Sequence, residues 1–189
     1  YGNVSVKYIH GFLESTVEGY NRYINSRGLE WKNNKSILIG ISETIIYSGL
    51  NRSLEFGYLN PIASHLEVEL NDRLNILGTE HSNALWQISI DFLPFKNLRI
   101  SGNYLYDEYV IDQIEIDHGK EHGDAFSFRL SYSPSLSLND INTFFVSYIN
   151  IGTPTFRHSN PNNNFVQRSK PLGWQGGSDC YQIKIGHNW

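Results

Sequence analysis

Residues 84–107 read ALWQISIDFLPFKNLRISGNYLYD, and their alternation decides the fold. Trp86, Ile88, Ile90 and Phe92 alternate with Gln87, Ser89 and Asp91. Beyond the turn at 93–96, Leu98, Ile100, Tyr104 and Tyr106 alternate with Arg99, Ser101, Asn103 and Asp107. Successive side chains of a strand point to opposite faces, so period two on both sides of a tight turn predicts a hairpin. The same pattern continues in 125–133, where Phe126, Phe128, Leu130 and Tyr132 alternate with Ser127, Arg129, Ser131 and Ser133. The wet face of a soluble sandwich carries mainly Lys, Glu and Thr. Here the polar face holds small residues with isolated Arg and Asp, and the other face holds aliphatics centrally and aromatics near the strand ends. That pairing of faces predicts an all-β, antiparallel transmembrane β-barrel with a polar lumen and aromatic girdles.

Composition points the same way. The 189 residues suffice for one domain, 1–189, and carry 15 Lys and Arg against 19 Asp and Glu, a net charge of −4. That balance speaks against nucleic acid as a partner, which calls for a basic stripe. Aromatics make up 14% and charged residues only 18%, below the ~25% usual in soluble domains. The single cysteine, Cys180, excludes an intrachain disulfide and a cysteine-rich zinc site. No apolar run approaches the ~18 residues of a membrane helix, so a membrane location requires strands. The chain has no methionine and opens without a signal peptide, which suggests a processed chain or part of a longer one.

Strands are expected at 3–14, 20–32, 36–48, 53–59, 84–92, 97–109, 125–133, 142–152 and 178–189, about nine in all. In the last of them Tyr181, Ile183, Ile185, His187 and Trp189 alternate to the final position. An alternating strand closed by an aromatic resembles the C-terminal sorting signal of bacterial outer-membrane barrels, whose end is periplasmic. Counting back from Trp189 places 153–177, 111–123, 60–83 and 33–35 outside the cell, and 134–141, 93–96, 49–52 and 15–19 in the periplasm. Long outer loops and short inner turns fit such barrels, with 33–35 unexpectedly tight for an outer connection. An odd number of strands puts Tyr1 outside, so N-terminal strands of a larger, even-numbered barrel are expected to precede it.

Several segments resemble the capsule assembly protein Wzi family of bacterial outer-membrane barrels. They are Leu29-Glu30-Trp31, Glu43 within its apolar strand, Tyr58-Leu59-Asn60-Pro61, Asp107-Glu108, Pro171-Leu172-Gly173 and Gly177-Ser178-Asp179, in family order across roughly 20–180. The resemblance implies a closed, non-catalytic barrel in the bacterial outer membrane, acting as a surface lectin that organises capsular or exopolysaccharide. It implies contact with outer-membrane lipid and lipopolysaccharide, and no cofactor. The family's N-terminal strands and periplasmic helical elements have no counterpart in this chain.

The longest outer loop, 153–177, supplies the candidate binding residues Arg157, His158, Asn160, Arg168 and Trp174. Amides and guanidinium groups bond paired hydroxyls, and an aromatic ring stacks on the CH face of a sugar. Arg157, Arg168 and Lys170 would also attract an acidic polymer. His158-Ser159-Asn160 suggests a membrane esterase, but adjacent strand residues point to opposite sides, which is poor geometry for a base and its nucleophile. Asp112, Glu115, Asp117, Glu121 and Asp124 with His118 and His122 could attract a divalent cation, though their spacing matches no metal motif. Among lumen charges, Asp91 is expected opposite Arg99, and Arg129 near Asp107, either bracing neighbouring strands or lining a pore. A diffusion porin is therefore the alternative function. Alternation places Glu43 with Ile37, Ile39, Ile41 and Ile45, which requires that face to be luminal or a bulge to intervene.

Overall fold

The computed structural model describes residues 2–15, 19–61, 64, 82–108, 113–117, 122–134 and 142–188. Trp189, most of 60–83, and Asp112, His118 and Glu121 lie outside the described residues. The alternating segments form β1 (Asn3–Leu13), β2 (Tyr20–Lys32), β3 (Ile37–Leu50), β4 (Ser82–Phe95), β5 (Leu98–Glu108), β6 (Gly123–Tyr132) and β7 (Thr143–Ile151). Two short strands, β8 (Val166–Gln167) and β9 (Lys170–Pro171), make a ribbon, and β10 (Cys180–Asn188) closes the order. The main sheet is an eight-stranded antiparallel meander in the order β1-β2-β3-β4-β5-β6-β7-β10. Among the described residues, β1 and β10 each pair on one side only. No described helix is long and apolar enough to cross a membrane.

Register aligns the apolar residues of the middle rows on one face of the sheet. Val6, Leu29, Ile41, Ile88, Tyr104 and Phe126 lie on one side. Ile183 and Ile185 continue that side on β10, and their exposures of 64% and 80% show how little of it is covered. The opposite, polar face carries Ser42, Ser89, Asn103, Ser127 and Gln182.

The expected strand at 53–59 does not form, so the main sheet has eight strands where about nine were expected. The chain turns at Asn51, whose φ is 50°, and residues Phe56–Leu59 wind into the short helix α1. Arg52 causes this. Its guanidinium bridges both carboxylate oxygens of Glu55 at 2.6 and 3.0 Å and donates to the Ser48 carbonyl at 2.8 Å. Burial opposes the charge of Arg52, but the hydrogen bond and attraction to Glu55 outweigh it and raise its pKa above the usual arginine value. Folded back this way, the segment lays the Tyr58 ring on Tyr47, centroids 4.3 Å apart, and the Tyr8 hydroxyl holds it through the Leu59 carbonyl.

Losing that strand reassigns the ends of the sheet. The tight turn at 33–36 lies at the same end as the 96–97 turn and the 133–142 connection, and Asn3 and Asn188 lie at that end too. At the other end β1, β3, β5 and β7 finish and β2, β4, β6 and β10 begin, and there the described residues of 51–61 and 152–179 leave the sheet. The turn at 33–36 therefore shares its end with 93–96 rather than with 153–177, and the strand ends flanking 15–19 and 49–52, expected beside 93–96, lie at the opposite end. Asn33 explains the tightness of the 33–36 turn: its side-chain oxygen accepts the backbone N–H groups of Lys35, Ser36 and Ile37, each at 2.9 Å.

The buried core sits at the long-loop end, on both faces. Tyr23, Ile45, Tyr47, Tyr58 and Ala84 pack on the apolar face beneath segment 51–61. Ile46, Leu85 and Phe165 pack on the polar face beneath 152–179, flanked by Leu13, Ile24, Leu105 and Phe156.

Candidate functional site: the strap across the polar face and its tryptophan pocket

The connection 152–179 crosses the sheet from β7 to β1 and returns. At its base the Gly152 N–H and the Thr155 hydroxyl donate to the Asp124 carbonyl at 2.9 and 2.7 Å, and Thr153 donates to the Asp179 carboxylate at 3.0 Å. Over β5, the backbone N–H of Phe156 donates to the Asp107 carboxylate. Over β3 and β4, Ser48 donates to the Asn163 side chain at 2.6 Å and Asn83 donates to the Asn163 carbonyl at 3.3 Å. Over β2, the Arg22 guanidinium donates to the carbonyls of Asn162, Asn164 and Val166 at 2.5, 2.9 and 3.0 Å. At β1, the Gln167 side chain accepts the Glu14 N–H at 2.8 Å. Phe165 is the apolar anchor, only 3% exposed against Ile46 and Leu85.

The expected binding residues divide into three groups within this strap. His158 and Asn160 serve the loop itself: His158 Nδ1 accepts the Asn160 N–H, and the Asn160 side chain accepts the Asn162 N–H to cap a 3₁₀ turn at Pro161–Asn163. Arg168 sits exposed at the tip of the β8–β9 ribbon, where it and Ser169 adopt φ of 49° and 59°, the pattern of a type I′ turn. Arg157 is exposed on the outward pass, its carbonyl accepting from Asn83 at 3.4 Å. Trp174 stands apart from them, on the return pass over β5–β7.

Trp174, Phe156 and Gly173 wall a cavity of about 280 Å³ whose floor is the polar face of the sheet. Glycine permits this wall. A Cβ at Gly173 would come within 2.6 Å of the Phe156 ring, and one at Gly176 within 2.0 Å of the Trp174 ring. Across the floor, Gln87 donates to Asn103 at 2.9 Å and Asn103 donates to Ser127 at 3.0 Å. Leu105, Ala125 and Ile149 supply an apolar flank. Gln87, Asn103 and Ser127 were visible in the sequence only as alternating polar residues, since their joining under Trp174 depends on where the loop lands.

The charged residues are partly rearranged. Asp91 and Arg99 pair as expected, with Arg99 Nε 2.9 Å from both carboxylate oxygens, one row off direct opposition. The expected approach of Arg129 to Asp107 is wrong. Arg129 faces Ser101, six residues from Asp107 and so about 20 Å along the strand, and Asp107 occupies a bulge between Tyr106 and Glu108. Arg129 instead donates to Ser131 at 3.1 Å and covers the Phe145 ring at 4.0 Å.

Glu43 resolves differently from either expected solution. It keeps regular register on the apolar face, opposite Arg27 and Trp86. There it accepts from Arg27 Nε at 2.6 Å and Trp86 Nε1 at 3.0 Å, while Arg27 Nη1 reaches the Asn60 carbonyl at 2.6 Å. Of the acidic cluster, Asp117 lies on α2 (Gln113–Asp117), bonded to Gln113, and Asp124 accepts from the Tyr104 hydroxyl. Among the described residues no three His, Cys, Asp or Glu side chains gather to hold a metal.

No family model, curated protein or solved structure matches this chain.

Proposed function

We propose that this chain belongs to a β-barrel of the bacterial outer membrane that binds surface polysaccharide, without catalysis, in the pocket beneath Trp174. One observation carries the binding assignment: an aromatic wall standing over a ladder of planar amides and a hydroxyl. A pyranose offers an apolar CH face to a ring and paired hydroxyls to amides, and this pocket presents both on adjoining walls. The barrel reading is supported by the exposed apolar face running through every strand of the sheet and by the tight turns at 33–36 and 96–97 lying at the end opposite the long strap 152–179. The resemblance to the Wzi family points to capsular or exopolysaccharide as the polymer. On this reading the polar face lines the lumen, and the strap lies across it at the outer end.

Trp174→Ala tests the assignment. Removal of a packed aromatic platform at a binding hot spot costs ~2 kcal/mol or more, about a thirtyfold loss of affinity. Cells carrying the variant should retain less surface polysaccharide while the protein still inserts, checked by heat-modifiable migration. Normal retention with a folded protein removes the pocket from the function.

A further inference from the structure

The polar face carries a second cavity toward the short-turn end, of about 500 Å³, lined by Lys96, Arg99, Arg129, Ser101, Ser131 and Thr143 among others. Asp91 engages Arg99, so the cationic excess resides in Arg129 and Lys96. Lys184 adds to it from β10, its Nζ 5.8 Å from the same Phe145 ring that Arg129 covers. A chain of net charge −4 thus concentrates cations at one place on the polar face. The Phe145 ring and the Ser131 hydroxyl hold the Arg129 guanidinium in one orientation, which lowers the entropic cost of forming a two-pronged contact.

The two cavities lie in line. Asn103 pairs with Ser127 on the floor of the tryptophan pocket, and Ser101 pairs with Arg129 in the next row of the same face. Rows on one face are two residues, about 7 Å, apart. Continuing down the hairpin, Arg99 pairs with Ser131. The track therefore passes from aromatic wall to amides, to hydroxyls, to guanidinium.

Resting on the reading that the tryptophan pocket binds a glycan, we propose that the glycan is acidic: its sugar rings lie against Trp174 and the amide ladder, and a hexuronate-type carboxylate meets Arg129 and Lys96 in the basic cavity. A guanidinium edge matches a carboxylate with two parallel N–H donors, and the serine and threonine hydroxyls serve the neighbouring ring hydroxyls.

The test uses the full protein purified in detergent, titrated with tetragalacturonate and with its methyl ester, which keeps the rings and removes the charge. The acid should bind about ten- to a hundredfold more tightly than the ester, the range expected of a hydrogen bond to a charged group. Arg129→Gln should remove most of the acid's advantage over the ester and leave the ester unchanged. Lys96→Gln, in an exposed turn, should weaken the acid several-fold and provides the same reading if the arginine variant folds poorly. Trp174→Ala should weaken both forms. Equal binding of acid and ester, with Trp174→Ala weakening both, overturns the acidic assignment and leaves the glycan pocket standing. Binding of neither form overturns both.

Discussion

Glu43 lies within Ile37-Leu38-Ile39-Gly40-Ile41-Ser42-Glu43-Thr44-Ile45, on the same face as four isoleucines, where a lone carboxylate would cost several kcal/mol. The structure answers with partners rather than with a change of face. Arg27 and Glu43 are 8% and 9% exposed at their side chains, and Trp86 and Asn60 complete the group. Breaking a buried pair leaves an uncompensated charge, whereas replacing both members by apolar residues is often neutral. Glu43→Ala should therefore destabilise the protein by about 3–5 kcal/mol, while the double variant Arg27→Met with Glu43→Leu should recover most of that loss. Urea unfolding followed by tryptophan fluorescence measures both. A single variant as stable as the parent would mean that water already screens the pair.

At the scale of elements, the strap 152–179 has few apolar anchors, mainly Phe165 and Phe156, so its position depends on donors from the sheet. Arg22 is the principal one, 8% exposed and bonded to three strap carbonyls. Hydrogen bonds from a charged donor contribute about 1.5–3 kcal/mol, and carbonyls left buried without a donor oppose docking. In Arg22→Met the strap should open at least tenfold more often, and trypsin should cut after Arg168 correspondingly faster with the sheet intact by circular dichroism. An unchanged cleavage rate would show that Phe165 and Asn163 suffice to hold it. The same dependence on backbone carbonyls explains how Arg22, on a strand far from the loop in sequence, positions the pocket without touching it.

For the whole molecule, the decisive property is that the sheet has two unlike ends and two unlike faces. Eight strands place 33–36 and 96–97 together, and set both apart from the strap. With Cys180 replaced by serine, single cysteines at Asn34 and Asn97 should be protected from a membrane-impermeant reagent applied to intact cells, and one at Ser169 should react. Labelling of Asn34 with protection of Ser169 would reverse the orientation, and labelling of Asn34 without Asn97 would restore the nine-strand count.

Alternation along 84–107, 125–133 and 178–188 was enough to establish an antiparallel sheet and to separate its faces, because strand periodicity is local and each side chain reports its own face. The Asp91–Arg99 pair followed from the hairpin, although the turn closes at 96–97 after a register shift and sets the two one row apart instead of directly opposite. Three features were decided only by tertiary structure. Segment 53–59 alternates like a strand, yet Arg52 and the stacked tyrosines bind it back over the sheet, and no local signal distinguishes the outcomes. Arg129 and Asp107 lie on the same face but at different levels, which depends on the length of a loop and on a bulge. The ladder of Gln87, Asn103 and Ser127 becomes a pocket only because a strap anchored 80–140 residues away in sequence, by Arg22, Ser48 and Asn83, carries Trp174 over it. Periodicity reports which way a residue faces; what comes to face it is set by long-range packing, which one strand's sequence does not contain.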